Sequence, residues 1–172
     1  ERKFHLRIYF IVVATPSGKR TGVYRRGKII HAANTYCAGD YTNKRIHDTH
    51  RRWSTPRFFP DDFPGDADSV FASIVSTLQT VSQLALPDIK WYNEASDGGF
   101  YIHGCDFMID NSGKVFLIEI NNKTGFKCPS DTKEQVDNLS EIIFQGLVEF
   151  VIDASLKSTL VVPLSQMPAK HE

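Results

Sequence analysis

The chain has 172 residues, with 20 Lys plus Arg balanced by 20 Asp plus Glu and a sequence pI of about 7.2. That length suits one domain able to bury on the order of 70% of its unfolded surface, and the balanced charge gives no global attraction to nucleic acid or membrane. Nothing in the sequence resembles a signal peptide, no apolar run reaches the roughly 18 residues of a membrane span, and three cysteines (Cys37, Cys105, Cys128) without metal-type spacing are expected of a reduced, cytoplasmic protein. Opening on Glu1-Arg2-Lys3 and entering a strand almost at once, the sequence reads as a piece of something longer.

Residues 6–14 form a β-branched and aromatic run, predicted as a central strand in which Arg7 is the odd residue. A loop is expected at Thr15-Pro16-Ser17-Gly18, then a hairpin of residues 21–25 and 28–32 turning at Arg26-Gly27. Residues 34–65 carry much Pro, Gly, Asp and Arg with little periodicity and are predicted as a long loop, a class of segment that is often functional. Asp66 or Asp68 can cap a helix running to about Leu86, with Val70, Ile74, Leu78, Val81 and Leu84 on one face and Pro87 at its end. A strand hairpin over 100–121 follows, then a loop holding Lys123, Gly125 and Cys128. Ser130 or Asp131 starts a last helix, with Asp131 and Glu134 spaced as a capping box and Val136, Leu139, Ile143, Leu147 and Phe150 on its apolar face. From about Ser155 the chain is expected to hang loosely. The composite is α+β, a mostly antiparallel sheet with helices packed on one face, residues 1–154 forming the lobe and 155–172 a loose tail.

The chemistry concentrates in residues 104–121. Two apolar strands are joined at Asn111-Ser112-Gly113, where Asn and Gly supply the positive φ of a tight reversal. If the turn closes there, positions whose numbers sum to about 225 lie opposite one another, so Asp106 faces Glu119 and Asn121 projects from the same side. Acids on such a strand are costly unless paired or bound to a metal. Oxygen-only ligands from Asp, Glu and Asn suit Mg²⁺, which shares its shell with substrate phosphates, so a Mg–nucleotide site is the reading of these residues. The competing explanation is a solvated or ion-paired set, the commoner fate of such acids. Asp110, beside the turn, is assigned to turn formation.

Elsewhere the signals are weaker. His47 and His50 with Cys37 fit no common zinc spacing. Residues 41–53 are basic with aromatics at the ends, but no matching basic stripe exists, so a solvated loop is favoured and nucleic acid is not expected as a partner.

Five segments in order, Lys3-Phe4-His5-Leu6-Arg7, Val23-Tyr24-Arg25-Arg26-Gly27, His47-Asp48-Thr49-His50, Gly104-Cys105-Asp106-Phe107 and Leu117-Ile118-Glu119-Ile120-Asn121, carry a resemblance to a known family. Together they resemble the C-terminal part of an ATP-grasp ligase, and within that superfamily the tubulin–tyrosine ligase-like family, over about residues 3–153. The last pair is the specific one, including the 13-residue gap between Asp106 and Glu119.

The resemblance implies that Asp106, Glu119 and Asn121 hold Mg²⁺ bridging the phosphates of ATP. It implies further that Arg7 touches those phosphates, that Arg7 and Glu119 are catalytic, and that His47, Thr49, His50 and Lys123 lie near substrate. The implied reaction is ATP-dependent joining of a carboxylate and an amine through an acyl phosphate, adding an amino acid to a protein or peptide, with an acidic acceptor as the expected partner. The implied alternative is a non-catalytic structural or binding module descended from such a ligase. The family's adenine-clamping lobe would lie N-terminal to this segment, which alone would bind ATP weakly. His5 stands where the family motif has Asp, His50 where it has Asn, Ile30 where it has Arg, and no Pro follows Asn121.

Overall fold

The computed structural model describes residues 1–15, 18–49, 55–84, 99–127, 131–152 and 158–168. Strand β1 (Phe4–Thr15) is central, paired antiparallel with β2 (Gly18–His31) on one side and with β4 (Phe100–Ile109) on the other. Beyond β4 lies β5 (Val115–Asn121), and the far edge of β2 is shared by β3 (Thr55–Phe59) and β6 (Val161–Pro168). All pairings in this six-stranded sheet are antiparallel.

The apolar run of β1 follows from burial on both faces, which removes the usual alternation with polar residues. Leu6, Ile8, Phe10 and Val12 point to one face, where helix α2 (Ala67–Leu84) packs Val70, Phe71, Ile74 and Leu78. Tyr9, Ile11 and Val13 point to the other, where helix α3 (Lys133–Ile152) packs Leu139, Ile143, Leu147 and Phe150. The α+β class and the antiparallel sheet are as expected, but the two long helices divide between the faces instead of gathering on one. Leu84, expected on the apolar face of α2, is 73% exposed. Of the two candidate caps, Asp66 accepts from Ser69 N at 3.0 Å.

Three other expectations are corrected. No reversal occurs at Arg26-Gly27: β2 runs through it as one strand, and the chain reverses between Thr15 and Gly18. Gly27 is present because of close approach, since a Cβ there would stand 2.4 Å from the Arg7 carbonyl oxygen. The ladder slips there, between the pairs Ile8–Gly27 and Phe10–Val23, as a bulge in which Arg25 and Arg26 are accommodated. The segment predicted as one long loop contains α1 (Lys44–His47), capped by Asn43, and edge strand β3; residues 50–54 of it lie outside the described residues. Val161–Pro168, expected within a loose tail, pairs with β2 because the N-terminal half of β2 would otherwise leave an open edge.

The start of α3 is also different from the spacing-based expectation. Thr132 and Gln135 cap it reciprocally, Thr132 N donating to Gln135 Oε1 at 3.0 Å and Gln135 N to Thr132 Oγ1 at 3.2 Å. Asp131 is thereby released for another partner. Thr132→Ala is expected to lower stability by about 1 kcal/mol, and Glu134→Ala by less than about 0.5 kcal/mol, in urea unfolding; equal effects would return the cap to Asp131.

Candidate functional site

Beside the turn the β4–β5 hairpin is one residue off the predicted register, with Ile109 paired to Val115 and Phe107 to Leu117, and a bulge then brings the predicted pairs together. Asp106 pairs with Glu119 and Gly104 with Asn121, and the ladder shifts by one residue just beyond, between Asp106 and Phe107. Asp110 accepts from Ser112 N, Ser112 Oγ and Lys114 N, the turn role expected of it. On β1, Arg7 lies opposite Asp106, so one face of three neighbouring strands carries Arg7, Asp106, Glu119 and Asn121.

Arg7 grips Asp106 with two parallel hydrogen bonds, Nε to Oδ1 at 2.8 Å and Nη2 to Oδ2 at 2.7 Å, the fork geometry that makes such pairs strong. Asp106 is 4% exposed. Burial alone would push its carboxyl upward, but the hydrogen bonds and charge of Arg7, with smaller contributions from His5 and Glu119, outweigh burial and hold it below the usual carboxylate range. Glu119 is exposed. Asn121 Nδ2 sits between the acids, 3.3 Å from Asp106 Oδ2 and 3.1 Å from Glu119 Oε1.

That shared donor marks a point within reach of both carboxylates. The donor set fits a hard divalent cation: turning the Asn121 amide presents its oxygen to the same point, and a carboxylate has about four lone-pair positions, of which Arg7 uses two on Asp106. Among the described residues no three His, Cys, Asp or Glu side chains converge as a metal site. Two acids and an amide instead suit a cation that completes its shell with phosphate and water.

Behind Asn121, on the opposite face, His103 Nδ1–H donates to the Asn121 carbonyl at 3.1 Å, and burial holds its pKa below the ordinary imidazole value despite that bond. His103 was missed by sequence reasoning, although a His within an apolar strand was the available signal. Lys28 was missed as well. It is 1% exposed, lies opposite Arg7 in the ladder, and donates to Asp131 and to the Phe126 carbonyl. A Lys directly before Ile29-Ile30 was its signal.

The two histidine segments meet β1 in parallel. Lys3 Nζ donates to His47 Nδ1 at 2.9 Å, and His5 Nδ1 lies 2.7 Å from Thr49 Oγ1. His5 Nε2 is in turn 3.7 Å from Asp106 Oδ1, so Thr49 joins the site through His5. His47 does not reach the acids. Lys has no acceptor, so His47 receives at Nδ1 and donates from Nε2 to the Asp40 carbonyl at 2.7 Å. Lys123 is exposed on the loop after β5, and His50 lies outside the described residues.

Comparison with solved structures places the chain in an ATP-grasp architecture. Its fold superposes with a TM-score of 0.73 on the C-terminal domain of Pby1 from K. lactis, described as an ATP-grasp enzyme interacting with the mRNA decapping enzyme Dcp2; the match covers 98% of this chain and 49% of that one at 19% identity. Residues 40–160 match the tubulin-tyrosine ligase family, and the chain belongs to that family. A probable tubulin–tyrosine ligase of Schizosaccharomyces pombe is 25% identical over 166 residues, 88% of this chain and 38% of the relative. The chain therefore spans less than half the length of either protein.

The lowered Asp106 value gives a signed pH dependence. A carboxyl with a depressed native pKa contributes stability that is complete above its unfolded value of about 3.9 and lost as pH falls through the native value. Wild-type protein should lose unfolding free energy over that acid window, and Asp106→Asn should lose measurably less there. Parallel urea midpoints for the two proteins between about pH 5 and 2 would contradict the paired state of Asp106.

Proposed function

We propose that this chain supplies the metal- and phosphate-binding half of an ATP-dependent carboxylate–amine ligase that adds an amino acid to a protein or peptide. The observation that carries the reading is the convergence of Asp106, Glu119 and Asn121 on one point beside the half-buried Arg7. Membership of the tubulin-tyrosine ligase family supports it, and the family implies ATP and Mg²⁺ as cofactors.

In such a reaction a substrate carboxylate oxygen takes the γ-phosphoryl group and ADP leaves; an amine then attacks the acyl carbon, an amide C–N bond forms, and phosphate departs with the C–O bond broken. Phosphoryl transfer of this kind depends on positioning and charge neutralisation more than on a protein nucleophile. Mg²⁺ held by Asp106, Glu119 and Asn121 would neutralise phosphate charge and fix its orientation. Arg7, anchored on Asp106 by two of its N–H groups, would bring fixed positive charge beside a phosphate. Glu119, the exposed acid, is free to turn toward the cation, whereas Asp106 is already locked. Residues 41–49, brought to the site by the Thr49–His5 contact and including the exposed Lys44 and Arg45, are the proposed approach for an acidic acceptor.

A second reading is favoured by one observation: both Asp106 oxygens are engaged by Arg7, as in a structural ion pair. On that reading the domain is a non-catalytic binding module, in line with the protein partnership described for Pby1. Glu119→Gln separates the two. Its exposure predicts a stability change within about 0.5 kcal/mol, and the ligase reading predicts loss of Mg-dependent ADP and ATP binding by calorimetry. Unchanged nucleotide affinity in a folded variant would leave only the module.

A further inference from the structure

Of the charged groups on the site face, the pair Lys28–Asp131 has no part in the chemistry above. Both side chains are essentially excluded from solvent, at 1% and 0%. Burying such a pair costs more solvation than a surface pair recovers, and hydrophobic residues of similar volume commonly replace it at no loss of stability. General stability is therefore a weak reason for its presence, and the contacts suggest a local one.

Lys28 stands opposite Arg7 in the β1–β2 ladder. Its ammonium binds two points after β5, the Phe126 carbonyl and the Asp131 carboxylate next to the cap of α3. The backbone leading to Phe126 lies against Arg7: a Cβ on Gly125, which has φ of 61°, would stand 2.6 Å from Arg7 Nη1. The same stretch crosses Gly104, where a Cβ would meet the Thr124 carbonyl oxygen at 2.7 Å. The Phe126 ring packs on Tyr9 with centroids 5.4 Å apart. Arg7 is thus bounded by Asp106 on one side and by residues 124–126 on the other, and Lys28 holds that second wall.

We propose that the Lys28–Asp131 pair latches residues 122–127 across Arg7, which makes Lys28 a positioning residue for the anion-binding end of the site. The proposal rests on the ligase reading for its effect on nucleotide, but the latch itself has an independent readout. The double substitution Lys28→Met with Asp131→Leu removes both charges and so avoids leaving one buried without its partner. Hydrogen exchange of amides 122–127 and calorimetric affinity for Mg–ADP are then measured on the longest available form of the protein.

A latch predicts a folded double variant whose 122–127 amides exchange at least about tenfold faster while those of β1 and β4 do not change, and whose Mg–ADP affinity falls by about tenfold or more, the size seen when residues behind a metal site are removed. Lys28→Arg, which keeps the charge, should restore most of both. Wild-type exchange at 122–127 in the double variant overturns the latch. A double variant that does not fold makes the pair a general requirement of the fold, which also overturns the local role. If wild-type protein binds no Mg–ADP, the ligase reading fails, and the exchange rates alone decide this proposal.

Discussion

The bidentate contact between Arg7 and Asp106 is the constraint on which the rest of the site depends. Each charge sits on a central strand where solvation is lost, so neither could be kept without the other. Their pairing places a carboxylate beside a guanidinium at the heart of the sheet. Once Asp106 is anchored, the hairpin register carries Glu119 and Asn121 to it, and the Asn121 amide spans the two acids. Loss of Arg7 would leave Asp106 as a buried charge and remove the reference point for the others.

The position of the site along the sheet follows from how far each helix extends. On the α2 face, β1 is apolar from Leu6 to Val12, and that face is core throughout. The α3 face is divided. Tyr9, Ile11 and Val13 lie under the helix, whereas His5 and Arg7, on the same face, are beyond its apolar stripe and meet polar partners. The capped start of α3 lies at this division, tied to β2 through Asp131 and Lys28. One strand thus serves as core and as site by changing what covers its second face partway along.

Much of this was legible in the sequence. The turn at Asn111-Ser112-Gly113 set the count to within one residue, and a bulge between Asp106 and Phe107, which has no signal in the spacing, completes the pairing of Asp106 with Glu119. Arg7 stood out as the one charge in an apolar run, for the same reason that it is paired. What was not legible depended on distant partners. Gly27 next to Arg26 carries the composition of a turn, yet it serves close strand contact at a bulge, a difference settled by Arg7 and Ile8 across the ladder. Asp131 has the spacing of a helix cap, but it is bound by the buried Lys28, 103 residues away in sequence. Val161–Pro168 follows a stretch that reads as loose and becomes a strand because β2 is longer than β3 can cover. The 44-residue step shared by Lys3–His47 and His5–Thr49 is a tertiary pairing without any periodic signal.

The central claim is that this face of the sheet holds nucleotide phosphates through a cation. The most direct measurement is calorimetric titration of ADP into the longest available form of the protein, with Mg²⁺ and then with a chelator in its place. The account predicts saturable binding with Mg²⁺ and at least about a tenfold loss of affinity without it, as expected for a ligand whose charge is neutralised through shared metal coordination. Binding of equal strength in the chelator, or none under either condition, would contradict it.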